Sequence, residues 1–422
     1  MTAETQLNSE KLMPSYFFKR LDLFKNRSFC FGCIMDFFSA IAVGVSYIAF
    51  SWHLLLLYNS INAIIIFMFT WWISGAILSP LTGHFADKFS RRYIILATHV
   101  ARVLLMVVYL FIGEFDSLTK VYVFTTIWGI ILAFFMPAML IFVRELFEDD
   151  RYLMYANSTI DGVFEIGMVL GMSLGGLLVT IFSMHDILYF LLFCTIVAFV
   201  ASLKIYPARI IEKRNVGFVK DWLNVYQYLK KYRFVFWYYL AQISFTSLFM
   251  IVPAFLAPYA KNILGATSLE FGLIETSFSI GFILGTLLMP WCADNYGEVR
   301  VLVVTLVFSA IMYFILSLFH NVMLAIICYF VIGLCISCWA IVMTLAQKNT
   351  VIELQGKAQG VAYGASGFVV MCVYGLFLFI NLIEPLPSNK WFYFTIIIAL
   401  LTLVPLLKGH RQAIKFSNRE AI

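Results

Sequence analysis

The chain has 422 residues, of which 62% are hydrophobic and only 12% are charged. Soluble domains carry roughly a quarter charged residues, so this composition excludes a soluble globular protein, whose surface would lack polar groups. The net charge of +6 does not require nucleic acid as a partner, because cations beside a bilayer face anionic lipid headgroups. We therefore predict an all-α membrane protein in contact with membrane lipids.

Twelve apolar segments are long enough to cross a bilayer as helices, which takes about twenty residues each. In chain order they are 29–57, 61–83, 93–113, 120–143, 153–182, 185–205, 234–257, 268–292, 300–319, 321–346, 355–382 and 389–407. The sequence therefore predicts twelve transmembrane helices in two six-helix bundles.

A polar and basic connection, residues 206–233, separates the sixth segment from the seventh. Its Trp222, Val225, Tyr226 and Leu229 recur at helical spacing, which indicates an amphipathic helix on the membrane surface. The predicted domains are an N-terminal segment (1–28), a first bundle (29–205), the linker (206–233), a second bundle (234–407) and a C-terminal tail (408–422).

Lys and Arg residues lie almost entirely on one side of the predicted bundles. All of them except Lys120, Lys261, Lys390 and the intrahelical Arg102 lie on the side that carries both termini. Because Lys and Arg are enriched in cytoplasmic loops, we expect both termini in the cytoplasm.

The ends of the second and eighth helices carry similar sequences. Each places Ala-Asp and then a basic residue in the second loop of its half, at Asp87 and at Asp294. The first run resembles the loop signature of the major facilitator superfamily, with Ser90 where a second glycine is usual; its matching residues are Gly83, Asp87, Lys88, Arg91 and Arg92. The resemblance implies the major facilitator fold, with a solute bound between two six-helix repeats.

Three further stretches resemble the branch of that superfamily that holds macrolide-efflux and enterobactin-export carriers. They are Phe135–Ala138 with Arg144–Leu146 and Ala156–Ser158, Gly272–Glu275 with Gly281–Gly285, and Gln347–Gly360. The resemblance implies proton-coupled export of a siderophore or drug-like compound by a monomer in the bacterial inner membrane. A bacterial lysophospholipid carrier shares the Pro-Ala, Glu-Leu and Ala-Asn pattern, so a lipid-like substrate is the alternative.

The fifth helix is rich in glycine, with Gly162, Gly167, Gly171, Gly175 and Gly176. This run is similar to the glycine-rich motif of drug/proton antiporters, but Met172 stands where that motif has proline. Because the glycines at 167, 171 and 175 recur every four residues, they predict a close approach between helices.

Five charged residues lie well inside the predicted spans: Asp36, Arg102, Asp161, Glu165 and Glu275. Charges in hydrocarbon cost about 2.5–3.5 kcal/mol each on insertion scales and usually face a bundle interior or a water-filled cavity. Asp161 and Glu165 are four residues apart and share a helix face, so we predict that the pair holds and releases a proton. The alternative is that both carboxylates stay solvated in a cytoplasmic vestibule.

Asp36 lies in the first helix, and Tyr47 follows three turns later on the same face. By resemblance the first helix lines the central cavity, so Asp36 is a candidate to bind a proton or a cationic group; the alternative is an ion pair with Arg102. Arg102 is in turn a candidate contact for an anionic substrate. Glu275 is a further cavity candidate, because macrolide-efflux carriers resemble this chain in having Glu there.

The resemblance also implies a gating role for the loop residues Gly83, Asp87, Lys88, Arg91 and Arg92. Asp87 would accept hydrogen bonds from the start of the eleventh helix, near 357–360, where the helix dipole favours an anion. This contact would latch the two halves together on the inner side. The alternative is a plain topology signal.

The sequence lacks the features of other membrane protein classes. No Gly-x-x-x-x-Gly-Lys-Ser/Thr loop is present, which argues against an ATP-driven pump. The six histidines are scattered, and no cluster resembles a catalytic or metal site, so we expect neither an enzyme nor a cofactor. We expect a small-molecule substrate and protons as partners; the competing class is a membrane receptor or assembly factor that keeps the fold without transport.

Overall fold

The computed structural model describes residues 22–113, 115–147, 150–207, 218–384 and 386–420. Throughout these residues the regular elements are helices. The first half contains α1 (Arg27–Tyr58), α2 (Ile61–Lys88), α3 (Arg91–Ile112), α4 (Leu118–Leu146), α5 (Asp150–Ile181) and α6 (Met184–Leu203).

The second half follows the linker helix α7 (Phe218–Lys231). It contains α8 (Arg233–Ile251), α9 (Pro253–Asn262), α10 (Ser268–Tyr296), α11 (Glu298–Leu318), α12 (Val322–Ile336), α13 (Trp339–Lys348), α14 (Ile352–Ile383), a 3-10 turn (Ser388–Trp391) and α15 (Phe392–Glu420).

Eleven helical stretches among the described residues are long and apolar enough to cross a membrane. The remaining predicted span corresponds to α2, which begins with the shorter apolar segment Ile61–Ser74. In this count α8 with α9 forms one span, and α12 with α13 forms another. The predicted all-α membrane fold is therefore confirmed.

Two segments that the sequence predicts as continuous helices are each divided in two. The seventh span breaks at Val252, because the following Pro253 has no N–H to continue the helical hydrogen bonds. The tenth span breaks without a proline: Ser337 N bonds Gly333 O at 3.1 Å, and Cys338 N bonds Cys335 O at 3.3 Å. The hydrogen bond from Cys338 N spans three residues instead of four, so the turn that follows α12 is tighter than an α-helical turn.

The helices α1 and α5 pack closely along a row of glycines. A Cβ atom on Gly167 would lie 2.7 Å from Phe37 O, and one on Gly44 would lie 2.8 Å from Met168 O. Larger side chains at these positions would force the helices apart. The predicted packing role of the fifth-helix glycines is confirmed, and this packing holds the acidic residues of α5 beside α1.

The two ends of the molecule differ in charge. At the end where α1 begins, Tyr206 N, just after α6, donates to Ser28 Oγ at 3.0 Å. We refer to this as the basic end, because most of the described Lys and Arg residues lie in the elements that begin or finish there. At the opposite end, where α1 finishes, His53 Nε2 lies 2.8 Å from Phe115 O in the α3–α4 loop.

The linker helix α7 lies against the second bundle. Tyr228 donates a hydrogen bond to Asn349 O at 3.2 Å, and Val225 is buried while Tyr226 is exposed. The helix is therefore two-faced; it packs against the second bundle, and its position on the membrane surface stays a prediction. Residues 208–217 of the linker lie outside the described part. Most of the predicted C-terminal tail is helical, because α15 continues to Glu420.

Candidate functional site

The two bundles meet at the opposite end through side chains of α1, α5 and α10. Tyr47 on α1 donates a hydrogen bond to Glu275 Oε1 on α10 at 2.5 Å. The hydroxyl oxygens of Ser173 on α5 and Thr276 on α10 lie 2.6 Å apart. Both contacts join the first bundle to the second, so they close the interface at this end.

Aromatic and backbone contacts extend this closure. The rings of Trp52 on α1 and Phe271 on α10 are stacked with centroids 5.8 Å apart. A Cβ atom on Gly176 would lie 2.8 Å from Ser268 O and 3.2 Å from Gly272 Cα. The backbones of α5 and α10 are therefore in direct contact, which leaves no passage between them at this level.

Three acidic residues lie on the wall of the first bundle that faces the second. Asp36 on α1 is buried, and its Oδ2 has no hydrogen-bond partner among the described residues. Asp161 on α5 is exposed, and Glu165, one turn later, is half-buried. Asp161 interacts electrostatically with Asp36 and, across the interface, with Tyr363 of α14. The exposed Asp161 therefore lies beside the second bundle, on the half of α5 nearer the basic end.

Arg102 on α3 lies inside the first bundle and is 1% exposed. Its guanidinium carbon lies 4.8 Å from the ring centroid of Phe135 and 5.5 Å from that of Trp128, and its nitrogens have no hydrogen-bond partner among the described residues. The alternative of an ion pair with Asp36 is wrong for this structure, since none of the ion pairs in the described part joins them. Arg102 still acts on Asp36 through its charge.

Among the described side chains, the wall of the second bundle at this level is polar and uncharged. Gln242 on α8 and Gln359 on α14 exchange two hydrogen bonds, at 2.7 and 3.3 Å, and both are buried. One turn beyond Gln359, Tyr363 is exposed and close enough to Asp161 to be affected by its charge. The space between the bundles therefore has an acidic side and a neutral hydrogen-bonding side.

The predicted cavity residues fall into separate groups. Asp36, Asp161 and Glu165 lie together on the first bundle. Tyr47, on the same helix as Asp36, instead joins Glu275 at the closed end, and Arg102 is enclosed within the first bundle. Within the described residues, no group of three or more His, Cys, Asp or Glu side chains is placed to hold a metal ion.

Two of the predicted gating residues make contacts inside the first bundle. Arg91 Nη1 lies 3.4 Å from Glu145 Oε1, with both side chains buried. The guanidinium carbon of Arg92 lies 3.8 Å from the ring centroid of Tyr206. These contacts tie the start of α3 to the ends of α4 and α6. Gly83, Asp87 and Lys88 lie outside the part whose side chains are described, and so does the predicted contact of Asp87 with α14.

Several residues that build the interface were missed by sequence reasoning: Trp52, Ser173, Thr276, Gln242 and Gln359. The two glutamines carry a usable signal, because an amide inside an otherwise apolar helix needs a hydrogen-bond partner on a neighbouring helix. Ser173, Thr276 and Trp52 carry no such signal, because residues of these types are equally common in contacts within a bundle.

Comparison with known proteins identifies the family. The sequence profile of the Major Facilitator Superfamily matches residues 32–265 and 240–420, which together take in both bundles. The chain belongs to the Major Facilitator Superfamily. It is therefore an integral membrane protein of a transporter superfamily, in which secondary transporters bind small-molecule substrates between two repeats.

A curated relative within the superfamily is the uncharacterized MFS-type transporter YfiS of Bacillus subtilis (strain 168). It is 26% identical over 113 residues, and the match covers 27% of this chain and 26% of the relative. The chain thus spans about a quarter of the length of that relative. The match supports the transporter family and leaves the substrate open.

Two crystal structures of the nucleoside transporter NupG are similar to this chain in fold. A mutant of NupG gives a TM-score of 0.75 at 12% identity, covering 90% of this chain and 99% of NupG. A second NupG structure gives a TM-score of 0.67 at 15% identity, covering 92% of this chain and 98% of NupG. At these identities the likeness concerns the superfamily fold alone.

Proposed function

We propose that this chain exports a small amphipathic solute, such as a siderophore or a drug-like compound, in exchange for protons by alternating access. The observation that carries the proposal is the asymmetric interface. Contacts such as Tyr47–Glu275 close one end, while Asp161, on the half of α5 nearer the other end, is exposed and Glu165 is half-buried. A carrier that alternates between two such states exposes one site to each side of the membrane in turn.

The acidic wall supports proton coupling. Asp161 interacts electrostatically with both Asp36 and Glu165. Because like charges repel, simultaneous ionisation of neighbouring carboxylates is unfavourable. The group can therefore hold a proton when it is enclosed and release it when water enters. Solute uptake into the same space would compete with the proton, which is the basis of exchange.

The two walls also support an amphipathic substrate. Tyr363 offers an exposed, uncharged hydroxyl on one side, and the apolar helices around it offer surface for the rest of the solute. Pockets for small molecules commonly combine a largely apolar lining with a few placed polar groups. The sequence resemblance to macrolide-efflux and enterobactin-export carriers favours the same class.

The direction of export follows from the proposed orientation. We place the basic end and both termini on the cytoplasmic side of a bacterial inner membrane, because Lys and Arg residues concentrate there. The space beside Asp161 then opens to the cytoplasm, where an exported solute would enter. We propose that the working unit is a monomer, since each chain supplies both walls.

Reconstituted flux tests the proposal. Purified protein in proteoliposomes would be given ethidium, an amphipathic dye, or a fluorescent lysophosphatidylethanolamine, each with and without a pH gradient. We expect gradient-driven movement of ethidium that is lost in Asp36→Asn and in Glu165→Gln, both of which should still fold. Lysolipid movement without a proton requirement would support the lipid-carrier alternative, and absence of both fluxes would contradict transport of amphipathic solutes.

A matched acid outside the site provides the control. Asp116, in the exposed α3–α4 loop, accepts a hydrogen bond from Lys120, with an N···O distance of 2.8 Å, and this bond lowers the pKa of Asp116 below its usual value. The carboxylate therefore stays ionised through the working pH range. Asp116→Asn is expected to leave pH-driven flux unchanged.

A further inference from the structure

Glu275 lies at the closed end of the interface, where its surroundings differ from those of the other acids. We propose that Glu275, Tyr47 and Tyr329 form a binding site for one small cation, a proton or a sodium ion, which must be filled before the opposite end closes. The inference rests on the proposed function, because it gives the coupling ion a place in the transport cycle.

The burial of Glu275 creates the need for a cation. The residue is 7% exposed, and its hydrogen-bond partner is Tyr47 of the other bundle. In the described part of the chain, none of the ion pairs includes Glu275. An ionised carboxylate withdrawn from water with one hydrogen bond and no cation is strongly unfavourable. The closed interface is therefore favoured only when Glu275 is neutralised.

Tyr329 on α12 supplies a second, independent observation. Its side chain is 3% exposed, and its hydroxyl has no hydrogen-bond partner among the described residues. On α10, Phe278 lies one turn beyond Glu275, and its ring contacts that of Tyr329 with centroids 6.0 Å apart. The charge of Glu275 also interacts with Tyr329 and with Tyr313 of α11. Oxygen atoms of carboxylates and hydroxyls suit small hard cations, and a hydroxyl can equally hydrogen-bond a protonated carboxyl group. The unpaired Tyr329 hydroxyl is thus a ready ligand beside Glu275.

Among the described residues around this site, Glu275 is the one that carries a charge. The helix α5 faces α10 here with Ser173, which does not ionise. On α9, Lys261 directs its ammonium to a backbone carbonyl of α1 at 2.7 Å. On α13, Lys348 pairs with Glu298 at the basic end. Around Glu275, the described titratable groups that face it are therefore the tyrosines of α1, α11 and α12.

The position of the site fixes when the cation binds. Tyr47 belongs to the first bundle and Glu275 to the second, so opening of the opposite end separates them and admits water to Glu275. In water the carboxylate ionises, and it must take up a cation from that side before Tyr47 can return. Binding of the coupling ion and closure of the opposite end are thereby linked.

The test measures distances across the opposite end in the full-length chain in lipid nanodiscs, without solute. Spin labels carried on non-canonical amino acids at the exposed positions Thr119 and Lys390, one in each bundle, leave the eight native cysteines in place. One series lowers the pH without sodium, and a second adds sodium chloride at high pH, with potassium chloride as the ionic-strength control.

We expect the short, closed distance to gain population in one of the two series, which identifies the ion. If the ion is a single proton, the ratio of closed to open forms should rise by up to about tenfold for each unit by which the pH is lowered. Glu275→Gln should stay closed under every condition, and Tyr329→Phe should still close but with a shifted midpoint. An unchanged midpoint in Tyr329→Phe would remove that hydroxyl from the site.

The inference is overturned if the closed population of the wild-type protein changes with neither ion, or if Glu275→Gln keeps the wild-type ion dependence. Should Glu275→Gln fail to fold, Tyr47→Phe replaces it: closure should then be weaker at each pH but still ion-dependent, and closure at wild-type strength would contradict the proposal. Because no solute is present, loss of ethidium flux with an intact ion-dependent closure would count against the proposed function alone.

Discussion

Gln242 and Gln359 form a buried amide pair that joins α8 to α14, with each side chain donating to the other at 2.7 and 3.3 Å. Gln242 is the tenth residue of the helix that opens the second bundle, and Asp36 is the tenth residue of the helix that opens the first. The same place in the two repeats therefore holds an acid on one side and a neutral amide on the other. At this level of the interface the carboxylate therefore belongs to the first bundle.

The amide pair predicts a specific pattern of stability. Gln242→Leu leaves the buried Gln359 amide without its partner, which should cost about 1–3 kcal/mol, whereas Gln242→Leu with Gln359→Leu removes both partners and should be nearly neutral. Apparent melting temperatures of the purified variants in detergent would show a drop in the single variant and recovery in the double one. A double variant as unstable as the sum of the singles would contradict the pairing.

Two glycines of α5 predict opposite effects of the same substitution. A Cβ atom on Gly171 would lie 2.5 Å from Ile41 O, whereas nothing lies within 4 Å of one on Gly162. Gly171→Ala should therefore force α1 and α5 apart and destabilise the protein. Gly162→Ala should be neutral or stabilising by up to about 1 kcal/mol, since Ala favours the helix. Thermal unfolding in detergent measures both, and equal effects would argue against the close packing of α1 on α5.

The helical framework could be predicted from the sequence, but its local breaks only in part. A membrane-crossing helix is a continuous apolar run, so hydropathy located most spans within about five residues of their ends. The last helix is the exception, because α15 continues to Glu420, well beyond the predicted end at residue 407. Pro253 also carried a signal for the break between α8 and α9. The break at Ser337 had no such signal in the sequence. Ser337 lies close to Gly285 on α10, and a single sequence does not show such a contact between helices.

The pairing of residues across the interface was beyond sequence reasoning. Glu275 stands out in the sequence, because it is a charge inside an apolar helix. Its partner Tyr47, however, lies 228 residues away in sequence, and Tyr47 had been placed with Asp36 by helical spacing. Which face of α1 meets α10 is set by how the two bundles tilt against each other, and a single sequence holds no record of that tilt.

The stacking of Arg102 on Phe135 predicts a measurable coupling. At 4.8 Å between the guanidinium carbon and the ring centroid, a desolvated cation–π contact contributes about 2 kcal/mol. The double-mutant cycle of Arg102→Met and Phe135→Leu, measured by thermal unfolding, should give a coupling energy of that order. The matched pair Arg102→Met with Leu110→Ala removes an apolar side chain elsewhere on the helix and should be additive within about 0.5 kcal/mol. Additivity in both cycles would contradict the stacking.

Ser173 and Thr276 predict a reversible lock on the opposite end. Their hydroxyl oxygens lie 2.6 Å apart, so Ser173→Cys with Thr276→Cys brings two thiols within bonding range across the bundles. In a background without the eight native cysteines, oxidation should join the two positions in the full-length chain. Mass spectrometry of the linked peptides checks the bond, and failure to form it would argue against this closed interface.

Locking this end should stop transport without unfolding the protein. Alternating access requires α5 and α10 to separate here once in each cycle, so a covalent bond holds the carrier in the state open toward the basic end. Ethidium flux in proteoliposomes should fall by at least tenfold on oxidation and recover with a reductant, whereas the single variants Ser173→Cys and Thr276→Cys should not respond. Undiminished flux in the fully cross-linked protein would mean that solute does not pass between these two helices, and the carrier would then have to open elsewhere along the interface.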